Sequence, residues 1–94
     1  MSALALSAAP AEGVLGRVAV VLSDYVLDLK HYERPRFSRS TLLASYELSA
    51  RDVDLILCEL ESEFGVDLDG VDEGQVTRVQ HLCDLIETRL RAAL

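Results

Sequence analysis

Apolar residues recur at spacings of three and four in three stretches, and this period constrains the fold more than any other feature. The stretches run from about Ala11 to Lys30, from Ser49 to Phe64, and from about Arg78 to Ala93. Such spacing places apolar side chains on one face of an α-helix. The sequence therefore predicts an all-α fold in which three substantial helices pack through these faces.

The core of this fold is predicted to be aliphatic, because half of the residues are hydrophobic and the chain has no Trp. The residues predicted to face the core are Val14, Val18, Val21, Leu22, Tyr25, Val26 and Leu29 in the first helix, Val53, Ile56 or Leu57, Leu60 and Phe64 in the second, and Val79, Leu82, Cys83, Ile86 and Leu90 in the third.

Two connections of different character separate the helices. The first, from His31 to about Leu48, is long and contains Pro35, which a helix cannot include in its interior. A loop of this length is expected to be held by side chains that enter the core, here Leu42, Leu43, Tyr46 and Leu48. The second connection, Val66 to Gly74, is acidic, with a short helical turn expected around Asp72 to Val76.

The second helix has the clearest boundaries. Ser49 is predicted to cap its N-terminus, and Asp52 stands at the capping-box position where Glu or Gln is more usual. Gly65 is a typical C-terminal stop. Together with the short turn, these boundaries predict a four-helix bundle with a short third helix and a long first loop.

A chain of 94 residues is expected to form one domain. We assign residues 1–10 to a disordered leader and residues 11–94 to a single domain. The first ten residues lack the basic start of a signal peptide, and no apolar run reaches the length of a membrane span. The expectation is a monomeric cytoplasmic protein with Cys58 and Cys83 reduced.

The formal net charge is −7, and the acids are concentrated in one region. Ten acidic residues lie between Glu47 and Glu73, against one base, Arg51. This region would repel nucleic acid and favours protein partners with basic patches. A short basic stretch precedes it, formed by Lys30, Arg34, Arg36 and Arg39.

No enzyme or metal site can be identified in the sequence. Cys83 falls on a core-facing stripe, and His81, two residues away, points to a different side of the helix. The acidic turn from Asp67 to Glu73 resembles a calcium loop, but Gly70 stands fourth where an EF-hand has its glycine sixth. The chain is predicted to catalyse nothing and to bind no metal.

From Asp52 to Ile86 the sequence resembles the acyl carrier protein family. Leu60-Glu61-Ser62-Glu63-Phe64 is similar to the family's acidic segment between a leucine and a phenylalanine. Leu68-Asp69-Gly70-Val71-Asp72 occupies the place of its acidic loop, and Val76-Thr77-Arg78-Val79 is similar to the isoleucine-threonine-threonine-valine that opens its last helix. The resemblance implies a carrier of acyl or polyketide-type intermediates in fatty acid or polyketide biosynthesis.

The resemblance places the family's attachment site at position 50. Its Asp-Ser-Leu triplet, whose serine carries phosphopantetheine, aligns without a gap on Ser49-Ala50-Arg51. Ala50 has no hydroxyl, so no prosthetic group is expected on the chain as it stands. Ser49 is the fallback attachment residue, although a one-residue shift would rotate the helix by about 100°. Ala50 is either a replacement of a natural serine or a natural loss.

The resemblance also implies partners and a surface that binds them. The partners would be a phosphopantetheinyl transferase, a ketosynthase, and enzymes of the acyl ligase or transferase type. The residues matching the family's recognition helix are Asp52, Leu55, Cys58, Glu59, Ser62 and Glu63. Leu55 replaces a usual acid and Arg51 a usual leucine, so a distinct partner set is expected. The alternative is a carrier-like module that docks to a synthase subunit without cargo.

Overall fold

The computed structural model describes residues 10–33 and 35–92 and is all-helical in these ranges. Three α-helices are present: α1 (Pro10–Lys30), α2 (Ala50–Phe64) and α3 (Val79–Ala92). Two short 3-10 helices cover Leu43–Tyr46 and Glu73–Gln75. The all-α prediction is confirmed for the described residues. A four-helix bundle is not confirmed, because the expected third helix is a three-residue 3-10 turn.

The predicted leader, residues 1–10, lies outside the described residues except for Pro10, where α1 begins. Proline suits the first position of a helix because the backbone N–H that it lacks would have no partner inside the helix there. At the other end α1 stops before Pro35. Its last residue is Lys30, and the next residue, His31, has a left-handed φ of 63°. Within the described ranges, none of the helices combines the length and apolar character that a bilayer crossing requires.

The buried face of α1 is formed by Val14, Val18, Leu22 and Val26, each at most 9% exposed. Their strict four-residue spacing turns the buried stripe by about 40° per step, because four residues cover slightly more than one helical turn. The stripe therefore continues toward Lys30. For this reason the prediction that Leu29 faces the core is wrong, and its side chain is 58% exposed.

The predicted core faces of α2 and α3 are largely confirmed. Both Ile56 and Leu57 are buried, so the alternative between them resolves in favour of both. Phe64 and Leu90 are only partly buried against the core. The fully or nearly fully buried residues of these helices are Val53, Ile56, Leu57, Leu60, Val79, Leu82, Cys83 and Ile86. Since α1 packs against both α2 and α3, it is the central helix of the bundle.

The long first loop is held by two of the leucines predicted to pin it. Leu43 and Leu48 are 2% and 8% exposed, whereas Leu42 is 43% exposed and contributes through its backbone, which bridges to Arg78. The Tyr46 ring lies 5.0 Å from the Tyr32 ring, centroid to centroid, and packs partly against the core. Side-chain burial and backbone pairing together order a segment that has no α-helix of its own.

The predicted ends of α2 are confirmed. The hydroxyl of Ser49 accepts the backbone N–H of Asp52 at 3.3 Å, and the Asp52 carboxylate accepts the Ser49 N–H at 2.8 Å. These reciprocal bonds make a complete capping box with Asp at its third helical position. Gly65 ends the helix with a left-handed φ of 67°, a conformation that glycine adopts without steric cost.

The start of α3 is satisfied by a residue from its own first turn. Nδ1 of His81 accepts the backbone N–H groups of Thr77 and Arg78 at 3.0 and 3.2 Å. These N–H groups point outward from a helix start and would otherwise need water or another acceptor. The imidazole therefore acts as a helix cap, and this role was not predicted from the sequence.

We expect His81→Ala to lower the free energy of unfolding by about 1 kcal/mol, the usual cost of losing a helix cap. Urea denaturation followed by circular dichroism measures this. Gln80→Ala, an exposed change on the same helix, is the matched control and should change stability by no more than a few tenths of a kcal/mol. Equal stability losses in both variants would contradict the capping role.

Candidate functional site

Position 50 lies at the exposed N-terminus of α2. Ala50 is the first residue of the helix and is exposed, directly after the capping residue Ser49. The Ser49 hydroxyl lies 3.0 Å from Oδ2 of Asp52, to which it donates a hydrogen bond. A phosphate on Ser49 would therefore sit against a carboxylate, whereas position 50 has no such bond to lose. The Ser49 hydroxyl is thus engaged in the cap, whereas the side chain at position 50 is exposed and takes no part in it.

Asp52 joins the N-terminus of α2 to the C-terminal part of α1. Its Oδ1 accepts the Tyr25 hydroxyl at 2.6 Å, and its Oδ2 lies 3.1 Å from Nζ of Lys30. With the two bonds from Ser49, the carboxylate has partners on both oxygens. The Asp52 side chain is only 13% exposed, although the sequence places it on the exposed side of α2, and its part in recognition stays a prediction. Its carboxylate serves an internal network.

The network shifts the ionisation of both of its central groups. The Tyr25 hydroxyl bond, aided by bonds from Ser49 and Lys30, holds the pKa of the Asp52 carboxyl well below its usual range, although burial acts in the opposite direction. Burial, reinforced by the bond to Asp52, raises the pKa of Tyr25 to about 12. The folded protein therefore favours the charged carboxylate and the neutral phenol.

The other predicted recognition residues lie on the exposed part of α2. Leu55 is 44% exposed, and Cys58, Glu59 and Ser62 are also exposed. Glu63 is exposed as well, but its carboxylate forms an ion pair with Arg17 of α1 at 3.2 Å. Glu63 therefore contributes to the contact between the two helices as well as to the surface.

Arg17 makes three contacts with the end of α2. Besides the ion pair, its guanidinium donates to the Glu63 carbonyl oxygen at 2.8 Å and lies 4.1 Å above the Phe64 ring. Lys30 contacts Asp52 at the opposite end of α2. The early part of α1 thus meets the late part of α2, and the two helices run antiparallel.

A groove of about 560 Å³ lies between α1 and α2, and we call it the α1–α2 groove. Its apolar lining includes Val20 and Leu29 from α1 and Leu55 from α2. These three are 60%, 58% and 44% exposed and are three of the five large apolar side chains most exposed in the described residues. Val20, Leu29 and Leu55 thus bring exposed apolar surface from both helices into one groove.

Acidic side chains border the same groove. Asp24 and Asp28 extend from α1 and Glu59 from α2, all exposed, and Cys58 also contributes to the lining. Within the described ranges, none of these three acids forms an ion pair. The α1–α2 groove therefore combines exposed apolar side chains with acids that form no ion pair in the described part of the chain.

The basic stretch before α2 is partly engaged within the protein. Lys30 pairs with Asp52, and Nη2 of Arg39 lies 3.0 Å from Oε2 of Glu87. Arg36 is exposed, and Arg34 lies outside the described residues. Two of the four bases, Lys30 and Arg39, are therefore engaged in ion pairs within the fold.

The carboxylates that come closest to a metal-binding arrangement are those of Glu61, Asp67 and Asp69, which lie within 4.8 Å of one another. Two of them accept backbone N–H groups at the turn. Glu61 accepts from Leu68 at 2.7 Å, and Asp67 accepts from Asp69 at 2.8 Å. These two hydrogen bonds help to hold the turn after α2.

The two cysteines differ in environment, and both are free thiols. Cys83 is fully buried in the core, as predicted, and burial raises the pKa of its thiol. A buried thiol of raised pKa is a poor nucleophile. Cys58 is exposed at the α1–α2 groove.

Comparison with known protein families, curated proteins and solved structures finds no significant match to this chain. The resemblance to acyl carrier proteins therefore depends on the motifs of the sequence, their order and the helices that carry them.

Sequence reasoning missed the contribution of α1 to this surface. Val20 lies off the predicted core stripe, but a single apolar residue on a polar face is common and gave no clear signal. Leu29 was wrongly counted in the core. The links of Tyr25 and Lys30 to Asp52 were not detectable, since they join residues more than twenty positions apart.

We expect Tyr25→Phe to destabilise the protein by about 1–2 kcal/mol at neutral pH, because it removes a hydrogen bond to a charged group. The pKa of Asp52 is lower in the folded than in the unfolded chain. The carboxylate therefore stabilises the fold above the unfolded value of about 3.9, and this contribution is lost as the pH falls toward the folded value. Because the unfolded chain is common to both proteins, the deficit of Tyr25→Phe should shrink only as the pH falls from the Asp52 pKa of the folded variant toward the lower Asp52 pKa of the folded unchanged protein.

Urea unfolding at neutral and acid pH measures both effects. Tyr32→Phe is the matched control, since its hydroxyl also donates to a carboxylate, that of Glu47 at 3.0 Å, but at an exposed site. It should lose less stability than Tyr25→Phe. A loss at Tyr25 no larger than that at Tyr32, or one independent of pH, would refute the proposed strength of the Asp52 network.

Proposed function

We propose that the chain is an acyl-carrier-type domain that, in a form with serine at position 50, carries an acyl or polyketide-type intermediate between partner enzymes. The observation that supports this most is the place of position 50, exposed at the first residue of a capped and acidic α2. A group attached there could move freely in solvent while the helix stays folded. The resemblance of the flanking motifs to acyl carrier proteins supports the same proposal.

The chain as it stands does not fit the phosphopantetheine group that this proposal implies. Ala50 presents a methyl group, and a phosphoester requires a hydroxyl. The adjacent Ser49 has a hydroxyl, but it is engaged in the capping box with Asp52. Carriage is therefore proposed for the serine form only, and the unmodified chain is proposed to bind partners without cargo.

The proposed partners are a phosphopantetheinyl transferase, a ketosynthase, and enzymes of the acyl ligase or transferase type, met by a monomer in the cytoplasm. Basic surfaces on these enzymes would complement the acids of α2. Leu55, Cys58, Glu59 and Ser62 form the exposed part of the proposed contact. The domain itself would catalyse nothing and would act by presenting its cargo.

The second candidate function is a docking module that binds a synthase subunit and never carries cargo. Ala50 is the observation that favours it, because a natural alanine would exclude the arm while leaving the partner surface intact. The two functions make opposite predictions for a variant in which the hydroxyl is restored.

We expect the unchanged chain to gain no mass when incubated with coenzyme A and a broad-specificity phosphopantetheinyl transferase, and Ala50→Ser to gain one phosphopantetheine. The substitution should cost at most a few tenths of a kcal/mol, because position 50 is exposed and serine is tolerated in a first helical turn. Intact mass spectrometry followed by peptide mapping identifies the modified residue.

Ala44→Ser, which adds a hydroxyl at another exposed alanine, is the control and should stay unmodified. Modification of Ser49 in the unchanged chain would show that the ungapped alignment is wrong. A folded Ala50→Ser protein that several transferases leave unmodified would favour the docking module over the carrier.

We expect Glu59→Lys in the Ala50→Ser background to lower kcat/KM of the transferase several-fold at low salt. Exposed charges act mainly on the rate of encounter, and salt screens them, so the difference should shrink at high salt. Glu59 is preferred to Glu63 for this test because Glu63 also pairs with Arg17. A discontinuous assay of modified protein measures the rates.

Two further variants make the test specific for α2. Asp84→Lys makes the same charge change at an exposed acid of α3 and should have a smaller effect. Arg36→Gln tests the exposed base of the preceding loop. An unchanged rate for Glu59→Lys, with a marked loss for Arg36→Gln, would move the partner surface from α2 to the loop.

A further inference from the structure

We infer that the α1–α2 groove binds a basic amphipathic helix of a partner protein. The inference deepens the proposed partner contact of α2 and rests on it, but it requires no prosthetic group. It adds α1 as half of the binding surface and gives the partner segment a defined chemistry.

The two sides of the groove are rows of residues at four-residue spacing. Val20, Asp24 and Asp28 form the row on α1, while Leu55 and Glu59 stand on α2. Residues at this spacing lie one above another along a helix face, so each row forms a ridge. Two antiparallel ridges with a depression between them are the geometry into which a third helix packs.

The length of the groove suits a short helical segment. From Val20 to Leu29 the α1 side extends about 14 Å at 1.5 Å per residue, which corresponds to about two and a half turns of a bound helix. The exposed side chains of Val20, Leu29 and Leu55 provide apolar contacts along this length. A segment with an apolar residue on each of two or three successive turns would match them.

Charge determines which kind of helix fits. Asp24, Asp28 and Glu59 border the apolar lining and form no ion pair within the described part of the chain. Lysine or arginine beside the apolar face of the bound segment would complement them. The same acids would repel an anionic membrane surface or a nucleic acid backbone.

The acids also disfavour a second copy of the chain as the occupant. In a two-fold dimer each groove would face its own copy, so that the acids of one copy would meet those of the other. A chain with a formal net charge of −7 adds long-range repulsion to this contact. A basic helix from a different protein fits both the apolar lining and the acidic border.

The test uses two synthetic amphipathic helical peptides as probes. One has leucines on one face flanked by lysines, and the other has glutamates in place of the lysines. Isotope-labelled protein is titrated with each peptide, and NMR amide shifts give the location and the Kd. We expect shifts concentrated at residues 20–29 and 55–63, and an affinity for the lysine peptide at least about tenfold higher at low salt.

Matched pairs of variants identify the groove itself. Leu29→Ala should raise the Kd of the lysine peptide about three- to tenfold because it removes an apolar contact. Leu27→Ala changes a leucine of similar exposure, 48% against 58%, on the same helix but outside the groove, and should change the Kd less than about twofold. Asp24→Asn and Asp84→Asn form a second pair, which removes an acid inside and outside the groove. Only Asp24→Asn should weaken binding of the lysine peptide, and the loss of affinity should be smaller at high salt.

Three outcomes would overturn the inference. The first is that the lysine peptide does not bind at millimolar concentration. The second is that, in both pairs, the groove variant and its control change the Kd of the lysine peptide equally. The third is a dimer, detected by sedimentation, that Leu29→Ala disrupts, because a second copy would then occupy the groove. Modification of Ala50→Ser is measured separately, so failure of the carrier proposal and failure of this inference remain distinguishable.

Discussion

Burial of one face of α1 is the contact on which the other helices depend. Val18, Leu22 and Val26 are fully buried, and α1 packs against both α2 and α3. Burying an aliphatic side chain of this size contributes about 1.5–3 kcal/mol. A helix rich in β-branched residues gains little from intrinsic propensity, so α1 is itself stable only because of this packing. The position of α2 therefore depends on its contact with α1, together with its packing against the 3-10 helix Glu73–Gln75.

Asp52 fixes the N-terminus of α2 against α1 through directional bonds. Apolar contacts fix the distance between two helices better than they fix the rotation of a helix end. One carboxylate here caps α2 through Ser49 and also binds Tyr25 and Lys30 of α1. The orientation of the first turn, and with it the exposure of Ala50, follows from these directional bonds. The same bonds explain why Asp52, which the sequence places on the exposed side of α2, is only 13% exposed.

The sequence predicted those features that depend on local pattern. The three helices, the Ser49 cap and the Gly65 stop each arise from residues within a few positions of one another, and all are observed. The prediction was wrong where tertiary contacts decide the outcome. Leu29 is exposed because the buried stripe of α1 turns with its four-residue spacing. Asp52 is mostly covered because two α1 residues, Tyr25 and Lys30, bind its carboxylate. The α1–α2 groove could not be foreseen, since it exists only when two distant segments lie side by side.

The composition of the α1–α2 groove has a consequence for how a partner would be selected. The acids, such as Asp24 and Glu59, act over several ångströms in water and mainly raise the rate of encounter with any basic protein. Leu55 and Leu29 act only on contact, and their burial mainly slows dissociation. A basic protein without an apolar stripe would meet this surface often and leave it quickly. In the proposed partner contact, selectivity would therefore depend on the apolar side chains, and Leu55 would be the residue of α2 most able to distinguish one partner from another.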